Sequence, residues 1–179
     1  LNDEFASEIS QFETLDEYKA DLKKQLEEAK AKSAAAQNEN NVVEKVVENA
    51  ELALPAPMVE MQCEQMLDDY ARRMQSQGLP LEQYLQYTGM TVEKLKEQFR
   101  PQAERNLKTR LVLEEVVKAE NIAVSEEAID AEIAKMAEAY KIAPEKMKEY
   151  VGAEQREELA MDLKIQEAVD FLVAEAKLQ

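Results

Sequence analysis

The sequence predicts an all-α fold, with a helical body from which two helical arms project. Three observations lead there. The 179 residues contain only three glycines and no tryptophan, while the strong helix formers Ala, Glu, Lys, Gln and Leu are abundant. Runs of β-branched and aromatic residues of the kind that make strands are missing. Apolar residues recur instead at spacings of three and four over long stretches, which places them on one face of a helix.

Residues 1–13 read as irregular, with Phe5, Ile9 and Phe12 available to pin the segment onto a core. Thr14-Leu15-Asp16-Glu17 matches the S/T-x-x-E capping box. A helix is predicted from there to about Ala50, through Leu15, Tyr18, Leu22, Leu26, Ala29, Ala36, Val43 and Val47. It would be roughly 35 residues long and on the order of 50 Å. Its middle, Ser33 to Asn41, is small and polar, so the helix either passes over solvent there or bends at the asparagines.

Pro55 and Pro57 end this first part. The next helix carries an apolar stripe of Val59, Cys63, Met66, Leu67, Tyr70 and Met74 and is stopped by Gly78. Pro80 starts a short helix that Thr88-Gly89 ends, and Thr91 caps a third long one running to about Glu120. Pro101 lies inside that helix, removes one ladder hydrogen bond and is expected to kink it. Asn121 fits the residue just past its end. The plan then repeats: Ser125 caps a helix ending near Tyr140, Pro144 starts a short helix through Tyr150, Gly152 stops it, and a long helix runs to Ala176. One domain, 1–179, is thus expected in three parts: a linker and long body helix (1–54), a first arm (55–121), and a second arm with the C-terminal body helix (122–179).

Composition narrows the function classes. The 22 basic and 38 acidic residues give a formal net charge of −16. Such a surface repels phosphate backbones and anionic membrane faces, and draws basic or neutral partners. No apolar run approaches the ~18 residues that span a bilayer. The single cysteine, Cys63, leaves no intrachain disulfide or zinc–thiolate cluster and fits a reducing compartment. The chain opens at Leu1 with no signal-like segment, and that start looks like a cut from something longer.

Catalytic chemistry finds little to work with. There is no histidine, the usual general base and commonest metal ligand. Glu126-Glu127 and Glu157-Glu158 read as helix-start and surface acids. Cys63 sits on an apolar stripe, where burial raises a thiol pKa, and the glycines stand at helix stops rather than in a phosphate-cradling loop. No catalytic residue, metal site or cofactor is expected.

What remains is surface. Eight methionines fall in the two arms; methionine is flexible and polarizable, and lines sites that accept many apolar shapes, although it also fills gaps in helical cores. Leu79, Leu81, Tyr84, Leu85, Tyr87 and Met90 cluster around a turn, where exposure is the rule. The expected binding residues are Met58, Met61, Tyr84, Leu85, Tyr87 and Met90 on the first arm, with Tyr140, Ile142, Met147 and Tyr150 on the second.

The succession LNDEF…FETLDEYKADLKKQLEE, LPAPMVEMQCEQML, QGLPLEQYLQYTGMTVEKLKEQFRPQAER, LVLEEVVKAENIAVSEEAIDAEI and DFLVAEAKL resembles bacterial trigger factor from Leu1 to about Leu178, with the order of segments kept. The resemblance implies the C-terminal chaperone domain of a three-domain cytoplasmic protein, an elongated helical body with two arms. That domain cradles unfolded nascent chains without ATP and tends to form homodimers when free. The family's ribosome-docking and peptidyl-prolyl isomerase domains would precede LNDEF and match nothing in these residues, so ribosome contact would run only through the missing N-terminal domain. Ser33–Asn41 departs from the family, which is commonly more charged there. Two other readings stand beside it: a helical oligomerisation module whose stripes meet another copy, and a periplasmic parvulin-type chaperone core with a similar helical domain.

Overall fold

A computed structural model describes residues 2–176; the ends of the trigger-factor resemblance, at Leu1 and Leu178, lie outside the described residues. Among the described residues there are eight helices and no strand: α1 (Asp3–Ile9), α2 (Leu15–Asn49), α3 (Ala56–Ser76), α4 (Leu81–Thr88), α5 (Val92–Ala119), α6 (Glu126–Tyr140), α7 (Pro144–Tyr150) and α8 (Ala153–Glu175). The chain divides into two compact units at Val42 and Val43, inside α2.

In the first unit, the segment expected to be irregular contains α1. The Asn2 side chain accepts a hydrogen bond from the Phe5 amide at 3.1 Å, and the Ser10 hydroxyl donates to the Ala6 carbonyl at 2.6 Å. Both ends of this two-turn helix are therefore satisfied by side chains. Seven residues are too few to display an apolar stripe, and its buried residue is Ala6, while Phe5 and Ile9 are exposed. Asp3 accepts from the Leu15 amide at 2.8 Å, and Phe12 lies 6.4 Å from Tyr18, tying α1 to the start of α2. The capping box forms as the sequence predicts. Thr14 Oγ1 accepts from the Glu17 amide (3.2 Å) and Glu17 Oε2 from the Thr14 amide (3.3 Å). From this cap α2 runs unbroken for 35 residues without one buried residue.

The second unit is built on two small cores. In the first, Val59 and Cys63 of α3 meet Ala103 and Leu107 of α5, with Leu54, Met66 and Leu111 packed around them. Each pair is spaced by four, so one ridge on each helix supplies the contact. Further along, Tyr70 sits edge-on to Tyr84 (5.8 Å) and to Phe99 (5.6 Å), joining α3, α4 and α5 in one aromatic triad. In the second core, Ile129, Ile133 and Ala137 of α6 pack with Met147 of α7, flanked by Leu159, Ala160 and Leu163 of α8. α5 continues through Pro101 and also packs on α8, where Arg110 reaches Asp162 at 3.5 Å.

Three helices end in the same turn. The amides of Leu79, Ile122 and Ile142 bond back to the carbonyls of Met74 (3.1 Å), Val117 (2.9 Å) and Ala137 (2.9 Å). The residue before each has positive φ: Gly78 at 82°, Asn121 at 53° and Lys141 at 56°. These are Schellman ends, and an apolar residue follows each left-handed position. Gly78 and Asn121 were legible as stops. Lys141 was not, because lysine carries no left-handed signature. Gly152, expected to stop α7, instead has extended backbone and caps the start of α8, while α7 ends at Tyr150 with Val151 as its cap.

Ion pairs clamp the helices at their rims. Glu60 accepts from Lys96 (3.2 Å) and Arg100 (3.1 Å), and Glu64 from Lys96 (3.0 Å). Asp130 accepts from Lys148 (2.6 Å) and Arg156 (2.7 Å), and Glu126 from Arg156 (2.7 Å). These groups are partly exposed, so their main effect is to fix helix register.

Two outcomes follow. Ile133 is fully buried, so Ile133→Ala should cost about 3 kcal/mol in urea unfolding followed by circular dichroism. Hydrogen bonds from Lys148, then Arg156, hold the Asp130 carboxyl below its ordinary range. Its stabilising contribution is therefore complete above the unfolded value of about 4 and is lost as pH falls through the lower folded one. Asp130→Asn should accordingly lower Tm at pH 7, with the difference from the parent shrinking as pH falls below the unfolded value of about 4 and on through the lower folded one; a difference that stays equal on acidification would contradict this.

Candidate functional site

Chemically reactive groups are sparse. No group of three or more His, Cys, Asp or Glu able to hold a metal ion occurs among the described residues. Cys63 is fully buried between α3 and α5, and desolvation, ahead of the opposing effect of Arg100, pushes its thiol pKa up. A raised pKa and an inaccessible sulfur make it a packing residue and not a nucleophile.

The exposed apolar side chains are the distinctive feature. Among the ten expected binding residues, five stand exposed: Met58, Met61, Tyr87, Tyr140 and Tyr150, of which Tyr87 reaches 81% and Tyr150 74%. Met58 and Met61 lie on the face of α3 turned away from the Val59–Cys63 ridge, as 100° per residue requires. Tyr87 sits near the end of α4, Tyr140 at the end of α6 and Tyr150 at the end of α7. The structure brings these five together only as scattered points on several helices.

Four others are half-buried. Tyr84 belongs to the aromatic triad, and Ile142 packs on the second core as the apolar residue after a Schellman turn. Leu85 and Met90 are partly covered near the hairpin tip. The tip is apolar largely because α4 folds back and makes a small core of its own. Met147, expected on the surface, is instead buried against Ile129, Ile133 and Ala137. Met147 is the fourth residue of α7 and faces α6, where methionine fills a gap in the core.

Two apolar troughs escaped the sequence reading. One, of about 380 Å3, is lined by Met136, Met147, Tyr150, Val151 and Leu159, with Glu158 and Asp162 at its edge. The other, of about 460 Å3, runs between the Ala50–Leu52 linker and the last turns of α5, lined by Leu52, Leu111 and Val116 together with Glu51, Glu114, Glu115 and Lys118. A signal for the second was available. In Leu111-Val112-Leu113, three successive apolar residues spread over about 200° of helix, more than one packing face can cover. Val112 and Leu113 are buried, which leaves Leu111 half-covered beside the trough.

Fold and surface together define an all-helical module that displays several separate, shallow apolar sites with charged margins. The family model described as the bacterial trigger factor protein (TF) C-terminus matches residues 14–174. Trigger factor of Lachnoclostridium phytofermentans is 50% identical over 176 residues, covering 98% of this chain and 41% of that protein. The Bacillus subtilis trigger factor is 44% identical over 174 residues, covering 97% and 41%. This chain belongs to the trigger factor family and spans about two-fifths of the length of these relatives. Among solved structures, domains of trigger factor from Thermotoga maritima superpose with a TM-score of 0.59 at 21% identity, over 79% of this chain and 83% of that one. A trigger factor chaperone solved in connection with promiscuous substrate recognition gives 0.58 at 24% identity, over 98% of this chain and 43% of that one. At such identities these two likenesses establish the fold.

Burial of Cys63 gives a direct check. Ellman's reagent at pH 8 should leave the thiol unmodified in the native chain and titrate it fully in denaturant; rapid native reaction would contradict the α3–α5 packing.

Proposed function

We propose that this chain is the client-binding chaperone domain of a trigger factor, an ATP-independent holdase for exposed apolar segments of unfolded or nascent polypeptides. The observation that carries it is the set of five large apolar side chains, Met58, Met61, Tyr87, Tyr140 and Tyr150, left exposed on the helices of the second unit. Family membership supports a chaperone domain. The division into a long first helix (1–54), a first arm (55–121) and a second arm (122–179) belongs to the same reading. So do the cytoplasmic location and a ribosome contact made only through a part of the longer protein outside these residues.

The physical mechanism is weak multivalent capture. Removing about 100 Å2 of apolar surface from water gives about 2.5 kcal/mol, most of which the loss of client freedom offsets. One patch therefore holds nothing for long. A client touching several gains from effective concentration and still leaves quickly, because each contact breaks independently. Flexible methionines and two-torsion tyrosines suit a surface that meets many shapes. The carboxylates Glu51, Glu114, Glu158 and Asp162, which outnumber the one lysine, Lys118, in these two linings, favour clients with basic residues beside apolar ones and speed encounter more than they tighten it.

A second reading has its own observation. Leu22 and Leu26, one turn apart on α2, are exposed and would let copies of the chain associate, making it an oligomerisation module. Sedimentation velocity separates the two: a dimer unchanged by unfolded protein favours association, whereas one that loosens with client favours the holdase.

The direct test is suppression of aggregation of an unfolded model protein without nucleotide, at low and high salt. Replacing Met58 and Met61 by Gln, and Tyr87, Tyr140 and Tyr150 by Ser, should weaken apparent client affinity about tenfold, or about 1.4 kcal/mol, with the circular dichroism melt preserved. Suppression should persist at high salt, since apolar contacts are not screened. Unchanged suppression by the five-site variant would refute this choice of surface.

A further inference from the structure

The longest helix carries a stretch that nothing holds. From Ala29 to Asn41 every side chain of α2 is exposed except the half-buried Glu39. Among the described residues, side-chain pairing along α2 stops at Lys24–Glu28 and resumes at Lys45–Glu48. The boundary between the two compact units falls immediately after it, between Val42 and Val43. By contrast α5, at 28 residues, is anchored by six buried ones. The stretch carries no large apolar side chain and, among the described residues, no ion pair, so its backbone ladder and its alanines are what sustain it, and an unpacked segment of this length is marginal in water.

Within the stretch the residue types are unevenly placed. Ala34, Ala35 and Ala36 favour helix, whereas Asn38, Asn40 and Asn41 gather at the end nearest the unit boundary. Asparagine is a weak helix former because its side chain competes for backbone hydrogen bonds. We propose that residues 29–41, at the end of the first unit, are a helix–coil hinge that opens at the asparagines while the rest of that unit and the second unit each stay folded. Opening exposes no buried side chain, because the stretch has none. Its cost is therefore confined to a few ladder bonds. Valines 43, 46 and 47, half-buried in the second unit, end the transition on that side.

Hydrogen exchange read by mass spectrometry on the full chain tests this. Amides of 33–41 should exchange faster than those of 43–49 on the same helix and those of α5; equal rates across α2 would overturn the hinge. Replacing Asn38, Asn40 and Asn41 by Ala should slow exchange there, by up to about threefold per residue and so about thirtyfold together, and no slowing would overturn it. An independent readout uses spin labels at Lys30→Cys and Lys45→Cys, with buried Cys63 left in place. A rigid helix sets those positions about 22 Å apart. A broad distribution in the parent that narrows in the triple-alanine variant supports the hinge; a single narrow distance in both refutes it.

Discussion

The close approach of α3 and α5 at Cys63 and Ala103 is the constraint on which most of the second unit depends. Both residues are fully buried, and a thiol and a methyl group are small enough for two helix backbones to come near each other. That approach decides where the charged rims meet, with Lys96 and Arg100 reaching across to Glu60 and Glu64. It also brings Tyr70 against Phe99, and so gives Tyr84 a ring to rest on and α4 a surface to fold back upon. A bulkier residue at either position would push the helices apart and disturb every one of these contacts, since packed interiors absorb added volume poorly.

The core obtained in this way is thin. Fifteen apolar residues are buried among the described residues and no polar or charged one is, so the fold avoids the cost of desolvating charge. The same economy leaves large apolar side chains outside. An aromatic or methionine at the end of a short helix, such as Tyr87, Tyr140 or Tyr150, has no neighbouring layer to enter. Exposure at those points comes from the architecture itself: helices packed in pairs and threes always leave their outer faces and ends without a partner. The acidic surface keeps such a molecule dispersed in spite of them.

Much of the architecture was legible because it rests on local signals. Capping by Thr14, Thr91 and Ser125, the proline starts at Pro80 and Pro144, and the left-handed Gly78 and Asn121 each act within a few residues. What escaped was either too short or too tertiary. α1 spans two turns and shows no period, and Lys141 adopts a left-handed backbone that its side chain does not advertise. Gly152 was misjudged because an extended glycine beginning one helix looks, in sequence, like a glycine ending another. The site was harder. Periodicity tells which face of α3 is apolar, and it correctly leaves Met58 and Met61 off that face. It does not tell whether a helix as short as α7 will turn Met147 inward, which depends on where α6 lies.

The Schellman turns also bear on the order in which the molecule assembles. Each reverses the chain within a few residues and supplies its own apolar anchor, so the partner helices that follow are close in sequence. Glu60 meets Arg100 forty residues on, and Glu126 meets Arg156 thirty residues on. Closing loops of this size costs little entropy, and topologies made of such contacts fold quickly. During synthesis the first core is complete once Leu111 is free, while the second waits for Leu163 in the middle of α8. A protein whose own apolar surface is never fully covered thereby limits the time for which its growing chain exposes still more.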